Sequence, residues 1–202
     1  VLAPPTYLPL SVQGVALAAA DLDGDGRTDL AVAAAKGVHV LSNDGDGGFV
    51  PSATIDVPGG VNHVAAGDLD GDDAVDLVAS GFYVDGGGGL YFLHNEVPGG
   101  FHVKTIDTFT SGYGGYPLAA IEDLNGDGLE DVIALRTSTF CIFDCFLSWT
   151  ARVFLGTGGG DVSPGLDLAS GGYIFYGSPP TSILPGDLDE DGDLDLLLLQ
   201  PY

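Results

Sequence analysis

A ten-residue acidic segment occurs four times in the chain, and this repetition limits the possible folds more than any other feature. The copies align without gaps, with Asp at positions 1, 5 and 9 and Asp or Asn at position 3. They begin at Asp21, Asp68, Asp123 and Asp187, so that 47, 55 and 64 residues separate successive starts. Self-similarity at such a period indicates a repeat architecture in which each period is one supersecondary unit.

Short apolar runs lie on both sides of each acidic segment and predict two strands joined by an acidic loop. Two further apolar runs follow in each of the first three repeats. Four short antiparallel strands per repeat make one propeller blade. The predicted runs are 15–20, 30–33, 38–41 and 53–57 in the first repeat, 61–66, 77–79, 90–93 and 102–106 in the second, 117–121, 132–135, 151–155 and 162–168 in the third, and 182–185 and 196–199 in the fourth.

The predicted fold class is therefore all-β, a β-propeller built of four-stranded antiparallel blades, with about three and a half to four blades in this chain. A single repeat array is expected over residues 1–202, with repeats near 11–57, 61–107, 117–170 and 181–202. Residues 1–10 are expected to hold a strand that completes another blade. The Ala-rich segment 30–35 could be helical in isolation, but the other repeats have Val, Ile, Gly or Ser there and stop within a few residues.

The acidic loops have the ligand chemistry of a calcium site. Side-chain oxygens at positions 1, 3, 5 and 9, with a main-chain carbonyl from position 7, can enclose a hard cation of the size of Ca²⁺. Without a cation, three or four carboxylates this close repel one another strongly. We therefore predict up to four Ca²⁺ ions. The predicted ligand residues are Asp21, Asp23, Asp25, Arg27, Asp29, Asp68, Asp70, Asp72, Ala74, Asp76, Asp123, Asn125, Asp127, Leu129, Asp131, Asp187, Asp189, Asp191, Asp193 and Asp195.

Two alternatives to a propeller calcium site are the EF-hand and an acidic turn that binds no metal. An EF-hand needs a bidentate Glu at position 12 and flanking helices, whereas position 12 is apolar in all four copies here. A solvated acidic turn remains open for any single loop, although fourfold recurrence at fixed spacing favours the metal site. The four sites are not expected to be equivalent. Asp73 stands where Gly is preferred for a left-handed turn, so the second site should be the most strained.

The charge balance restricts the partners. The chain has 29 Asp and Glu against five Lys and Arg, which gives a net charge of −24. A phosphate backbone needs a basic surface, so nucleic acid is excluded as a partner, and docking on an anionic membrane is disfavoured. No apolar run approaches the ~18 residues of a membrane helix, so membrane insertion is not expected.

At the acidic loops the sequence resembles the FG-GAP/VCBS repeat family, which is known from the calcium-binding propeller of integrin α-subunits and from many secreted bacterial proteins. The resemblance rests on the four loops, their apolar flanks and the turn Asn43-Asp-Gly-Asp-Gly-Gly-Phe49, and it covers nearly the whole chain. It implies a β-propeller with calcium in the hairpin between the first two strands of each blade. Family members mostly serve adhesion, sugar binding or scaffolding, and some are appended to enzymes.

Most propellers of this family have seven or eight blades, whereas the predicted strands here make about half of such a ring. A four-bladed ring closed by the N-terminal strand is one possibility. A larger ring completed by a second chain or a missing segment is the other, and it is favoured because an open propeller leaves unpaired sheet edges that invite pairing. Self-association is accordingly expected.

The two cysteines, Cys141 and Cys145, lie four residues apart, and a tight strand–turn–strand can bring such a pair to disulfide distance. Two free thiols, or half of a metal site, are the alternatives. The disulfide is favoured because the other features indicate an extracellular, cell-surface or periplasmic protein.

Aromatic residues recur in the loops predicted to lie on the face away from the calcium loops, which are residues 58–63, 81–86, 110–117, 136–149 and 171–177. Exposed aromatic rings beside Gly suit recognition of a glycan or a protein, although packing between blades is an equal alternative. No catalytic motif is present, so a secreted binding or adhesion module is predicted rather than an enzyme. The alternative is an accessory or catalytic propeller of a polysaccharide-acting enzyme. The candidate ligand-binding residues are Tyr83, Tyr113, Tyr116, Trp149, Tyr173 and Tyr176.

Overall fold

The computed structural model describes residues 13–82, 88–109, 113–141, 145–174, 179–189 and 195–199. Within these ranges the regular structure is entirely β, and no helix long and apolar enough to cross a membrane is found there. The strands are β1 Gly14–Ala20, β2 Asp29–Ala34, β3 Gly37–Asn43, β4 Phe49–Asp56, β5 His63–Gly67, β6 Asp76–Phe82, β7 Gly88–Glu96, β8 Gly100–Phe109, β9 Tyr113–Glu122, β10 Asp131–Cys141, β11 Cys145–Phe154, β12 Leu166–Ile174, β13 Ser182–Gly186 and β14 Asp195–Leu199.

The strands pair in chain order into antiparallel blades. Blade 1 is the sheet β1-β2-β3-β4, blade 2 is β5-β6-β7-β8, blade 3 is β9-β10-β11-β12, and the hairpin β13-β14 begins a fourth unit. In the described residues, strand pairing between blade 2 and blade 3 consists of one residue pair, Phe82 of β6 with Gly115 of β9. This order of short antiparallel strands is that of a propeller, and the predicted fold class is confirmed.

The first strands of successive blades lie side by side, with β1 next to β5, β5 next to β9 and β9 next to β13. They carry small residues, because the centre of a propeller is crowded. Ala16, Ala18 and Ala20 of β1, for example, pack from one face against the core between blades 1 and 2. The loops between first and second strands therefore emerge together, at one end of the array.

Strand β7 contributes to two cores because its successive side chains point to opposite faces. Tyr91 and Leu93 pack in the core shared with blade 1, whereas Leu90 and Phe92 pack in the core shared with blade 3. Every second residue of β7 thus faces the same neighbouring blade. Near the end of the strand this alternation places the side chains of His94 and Asn95 beside two different acidic loops.

The tight turn between β2 and β3 shows why a glycine is required in blade 1. Gly37 has a φ of 141°, and a Cβ there would lie 2.0 Å from the main-chain oxygen of Ile55. Any larger residue would push β3 away from β4, so this position admits only glycine without a shift of the backbone.

Blade 3 differs from the sequence prediction in its outer half. Residues 136–149 were expected to form a loop, but β10 and β11 continue as a long hairpin that ends with Cys141 paired to Cys145. Residues 113–117 likewise belong to β9 rather than to a loop. The last strand is Leu166–Ile174 rather than 162–168, and Val162 forms only an isolated bridge with Gly156. The Thr, Phe and Ser residues of this region favour continued pairing. The strand expected within residues 1–10 lies outside the described residues.

Candidate calcium sites

The acidic loops connect the first and second strands of each blade, where the sequence predicts them. The first carboxylate closes each of the first three loops by accepting main-chain hydrogen bonds. Asp21 accepts from Gly24 at 2.9 Å and from Gly26 at 2.8 Å. Asp68 and Asp123 make the equivalent contacts in the second and third loops. Local hydrogen bonds therefore shape the loops.

The side chains at positions 3 and 5 each accept a hydrogen bond from the main chain two residues later. In loop 1, Asp23 accepts from Asp25 at 3.3 Å, and Asp25 accepts from Arg27 at 2.9 Å. In loop 3 the amide oxygen of Asn125 takes the role of Asp23 and accepts from Asp127 at 2.9 Å. Asn at position 3 thus preserves the loop conformation while lowering its charge by one.

The Asp at position 9 anchors each of the first three loops to its blade. Asp29 is fully buried and accepts hydrogen bonds from the main chain of Leu22 at 3.0 Å and of Asn43, at the end of β3, at 2.8 Å. Asp76 and Asp131 are buried in the same way and make the same two contacts. The carboxylate therefore joins the loop to the third strand, and its orientation is set by the sheet.

Oxygens at positions 1, 3 and 9 converge in loops 1, 2 and 4. One carboxylate oxygen from each member of these groups lies within 4.8 Å of the others. Calcium binds oxygens at 2.3–2.6 Å, so ligands on opposite sides of the ion are about 5 Å apart. A carboxylate oxygen that accepts a single hydrogen bond, such as Oδ2 of Asp29 or of Asp76, keeps a second lone pair for a cation. The residues therefore fit calcium. The converging groups are Asp21, Asp23 and Asp29, then Asp68, Asp70 and Asp76, and finally Asp187, Asp189 and Asp195.

Burial and mutual repulsion oppose the ionised state of three loop carboxylates, those of Asp70, Asp76 and Asp131. Burial, with the charge of Asp70 adding to it, raises the pKa of Asp76 to about 6. Burial raises the pKa of Asp70 and of Asp131 as well, and neighbouring carboxylates of the same loops act in the same direction. A bound divalent cation would favour the ionised forms and reverse these shifts.

Each of the first two loops also contacts the following blade. The side chain of Asn95 in blade 2 donates a hydrogen bond to the main-chain oxygen of Leu22 in loop 1, at 2.8 Å. The main chain of Gly159 in blade 3 donates to the main-chain oxygen of Asp70 in loop 2, at 3.1 Å. The two candidate sites therefore lie at interfaces between blades.

Sequence reasoning missed three residues that act on the sites. Arg27 was predicted only for its main-chain carbonyl, but its guanidinium forms an ion pair with Asp25 and also donates to the main-chain oxygen of Asn43 at 3.0 Å. Asn95 and His94 reach the loops from β7. Asn95 could have been found from the sequence only because Asn43 occupies the matching position of the first repeat. Nothing local indicates His94.

The remaining predicted calcium ligands fall into two groups. Asp72 and Asp127 lie in their loops, and the main chains of Ala74 and Leu129 accompany them as donors to position 5. Asp191 and Asp193 lie outside the described residues, so the fourth site is described only through its other three carboxylates.

The predicted ligand-binding aromatic residues do not form one described surface. Tyr116 is fully buried, contrary to its predicted exposure. Its hydroxyl donates to Asp107 at 2.5 Å, because β9 turns it into the core between blades 2 and 3. Trp149 is half-buried and packs over Gly171 of β12. Tyr83 and Tyr176 lie outside the described residues, as do the side chains of Tyr113 and Tyr173.

The cysteine prediction falls on side chains outside the described residues. The main chains of Cys141 and Cys145 are paired at the tip of the β10–β11 hairpin. The disulfide therefore remains a prediction.

Comparison with known proteins agrees with the repeat structure. A family model described as FG-GAP-like repeat matches residues 21–79 and 123–198, more than half of the chain. The search of curated protein sequences produced no match. One similar solved structure is a lectin of Agrocybe aegerita, described as recognising non-reducing terminal N-acetylglucosamine. It is 18% identical with a TM-score of 0.42, and the match covers 78% of this chain and 56% of the lectin. This chain thus spans little more than half the length of that protein.

Proposed function

The chain belongs to the FG-GAP-like repeat family, and from that premise we propose that it is a calcium-dependent β-propeller binding module. The observation that carries the calcium part is the shared loop geometry. Position-1 and position-9 side chains make the same hydrogen bonds in loops 1, 2 and 3, and three carboxylates converge in loops 1, 2 and 4. Up to four Ca²⁺ ions would be held by the predicted loop residues.

Calcium would act as a structural clamp in this proposal. The four loops contain 19 of the 29 acidic residues, so their mutual repulsion is concentrated where the strands must meet. Bound calcium supplies the positive charge that offsets this repulsion. Because loops 1 and 2 are hydrogen-bonded to the next blade, ordering them also orders the interfaces between blades.

Thermal unfolding with and without calcium tests the clamp. A ligand that binds only the native state stabilises it by about 2.7 kcal/mol per site at 100 times its dissociation constant. Addition of a chelator should therefore lower Tm, and excess calcium should restore it. Asp21→Asn removes one charge from loop 1 and replaces one of the two oxygens that accept main-chain hydrogen bonds. It should reduce the number of calcium ions bound, as counted by calorimetry. An unchanged Tm in chelator would contradict the proposal.

The binding role is proposed for the end of the array opposite the calcium loops, with a glycan or a protein as the ligand. The long β10–β11 hairpin supports this site, because it extends blade 3 at that end and carries the half-buried Trp149. We further propose that the chain acts outside the cytoplasm and has no catalytic role of its own. Screening immobilised glycans with wild type and Trp149→Ala tests the site. Equal binding by both proteins, or turnover of a glycan, would contradict it.

Self-association is proposed from exposed apolar side chains on the outer faces of the array. Val15 and Leu17 of β1 are 62% and 58% exposed, and Leu184, Leu197 and Leu199 of the β13–β14 hairpin are exposed to a similar extent. These positions face away from the described cores, and a second copy of the chain would cover them. Sedimentation should show a dimer that Leu17→Lys disrupts, whereas a wild-type monomer at all concentrations would contradict the proposal.

A further inference from the structure

A histidine nitrogen that could bind a metal ion lies beside loop 2, and the other described loops have no such neighbour. The imidazole Nδ1 of His94 in β7 lies 3.3 Å from Oδ2 of Asp70. Asp72 completes a group of three whose ligand atoms all lie within 4.8 Å of one another. Asp70 also belongs to the converging group of loop 2, so its carboxylate is shared between the calcium ligands and the histidine.

The separation of Asp70 and His94 suits metal ligands better than it suits an ion pair. A charge-assisted N–H···O hydrogen bond is about 2.7–2.9 Å long, shorter than the 3.3 Å found here. Zinc binds histidine nitrogen and carboxylate oxygen at about 2.0–2.2 Å, and two such ligands at the tetrahedral angle are about 3.4 Å apart. The two atoms therefore already stand at the distance that a tetrahedral ion requires.

Both side chains are held in place before any ion binds. The side chain of Asp70 is 5% exposed, and its main-chain oxygen accepts the hydrogen bond from Gly159. The imidazole of His94 packs against the buried ring of Phe92, with ring centroids 5.7 Å apart. Asp72 is exposed, so its carboxylate can close on an ion by rotating about its side-chain bonds. Two fixed ligands and one adjustable ligand form a prepared site.

The histidine is specific to blade 2. The residue that donates its main-chain N–H to the position-9 Asp is Asn43 in blade 1, Asn95 in blade 2 and Gly156 in blade 3. The preceding residues are Ser42, His94 and Leu155. A mixed set of imidazole and carboxylates binds borderline cations such as Zn²⁺, whereas sets containing only oxygen suit calcium. Loop 2 is thus the one loop, among the three blades with a described third strand, that has a mixed ligand set.

We propose that Asp70, Asp72 and His94 form a binding site for a borderline divalent cation of the Zn²⁺ type. The site rests on the proposed calcium function because it shares Asp70 and Asp72 with loop 2, but its selectivity for a borderline cation comes from His94. Loops 1 and 3 remain calcium sites without this second specificity.

Zinc titration of the calcium-loaded protein by calorimetry tests the site, with His94→Ser as the variant because Ser42 occupies that position in blade 1. Wild type should bind one zinc ion that His94→Ser binds at least about tenfold more weakly, since even the partners of metal ligands contribute about 10–100-fold to affinity. His102→Ser removes the exposed histidine paired with His94 across β7 and β8, and should behave as wild type. In wild type, the NMR signals of the His94 ring should shift on addition of zinc, which tests the site even if the variant does not fold.

Equal zinc binding by wild type and His94→Ser, or a His94 ring signal that zinc does not move, would overturn the proposal. Calcium binding is counted separately in both proteins. Loss of zinc with calcium retained supports the mixed site. A protein that needs His94 for zinc but binds no calcium would leave the zinc site standing and would refute the calcium clamp.

Discussion

The side-chain amide of Asn95 donates a hydrogen bond of 2.8 Å to the main-chain oxygen of Leu22, across the interface between blade 2 and the first acidic loop. The same amide donates to the main-chain oxygen of Val75 at 3.0 Å, at the end of loop 2. One buried side chain therefore connects two acidic loops that belong to different blades.

Replacing Asn95 by Ala should destabilise the calcium-loaded protein by about 1–3 kcal/mol, because buried carbonyl oxygens then lose their partner. Urea unfolding measures the effect. The matched control is Asn43→Ala in blade 1, whose amide donates only to the exposed main chain of Thr28, at 3.1 Å. If the two variants lost equal free energy of unfolding, the contact of Asn95 with Leu22 would contribute no more to stability than the exposed contact of Asn43.

Asp73 carries backbone strain that the other loops avoid. Its φ is 69°, whereas Gly26 and Gly128 occupy the same position of loops 1 and 3 with φ of 84° and 86°. This agrees with the expectation that the second site is the most strained. Asp73→Gly should stabilise the protein by about 1 kcal/mol, because glycine adopts this conformation without a steric penalty.

Asp73→Ala is the control for charge, since it removes the carboxylate and keeps a Cβ in the left-handed region. Its urea midpoint should stay at or below that of wild type. If Ala stabilised the protein as much as Gly does, then repulsion among the carboxylates of loop 2, and not the backbone, would be the source of the strain.

Asp107 joins blades 2 and 3 through two side chains. Its Oδ2 accepts from the hydroxyl of Tyr116 at 2.5 Å and from the guanidinium of Arg152 at 2.6 Å. Burial, together with this hydrogen bond, raises the pKa of the Tyr116 hydroxyl. Asp107→Ala leaves the tyrosine hydroxyl without its acceptor and removes one acceptor of Arg152, which keeps Asp167 and the main-chain oxygen of Gly165. The substitution should cost about 1–3 kcal/mol in urea unfolding.

The exposed ion pair of Lys104 and Asp161 is the natural control for Asp107. Both of its side chains are more than half exposed, and such pairs contribute little to stability. Asp161→Ala should therefore leave the urea midpoint almost unchanged. A loss as large as that of Asp107→Ala would mean that charge alone, rather than the buried contacts between blades, explains both results.

His63 gives the fold a pH dependence that is separate from the calcium loops. Burial lowers the pKa of His63 below its usual 6.5, and its Nδ1 is buried without a hydrogen bond within the described part of the chain. The unfolded chain therefore takes up a proton first as the pH falls. Stability from this residue is complete above about pH 6.5 and declines below it.

His63→Asn should flatten that decline, as measured by urea unfolding in saturating calcium between about pH 7 and pH 5. Subtracting the curve of the variant from that of wild type removes the contribution of the carboxylates, which is common to both. His102→Asn, which removes an exposed imidazole, controls for the loss of a histidine. Parallel wild-type and His63→Asn curves would refute the assignment.

The loops and inner strands could be predicted from the sequence because their causes are local. Asp21 closes its own loop through the main chains of Gly24 and Gly26, five residues away at most, and the same spacing recurs in the second and third copies. Such hydrogen bonds depend on residue types at fixed separations, which a sequence displays directly. The outer half of blade 3 was predicted wrongly. Residues 136–149 extend the pairing of β10 with β11, and no Gly or Pro residues in this segment mark where one strand ends and the other begins.

The sequence by itself determined the repeat, the propeller class and the acidic side chains that converge in the loops. Only the tertiary structure decided which distant side chains reach those loops. Asn95 faces blade 1 and contacts Leu22, whereas the adjacent His94 faces blade 3 and contacts Asp70. Neighbouring residues of a strand point to opposite faces, so a shift of β7 by one residue would exchange the two partners. That register depends on pairing with β6 and β8 and on packing against two blades, which no single repeat encodes.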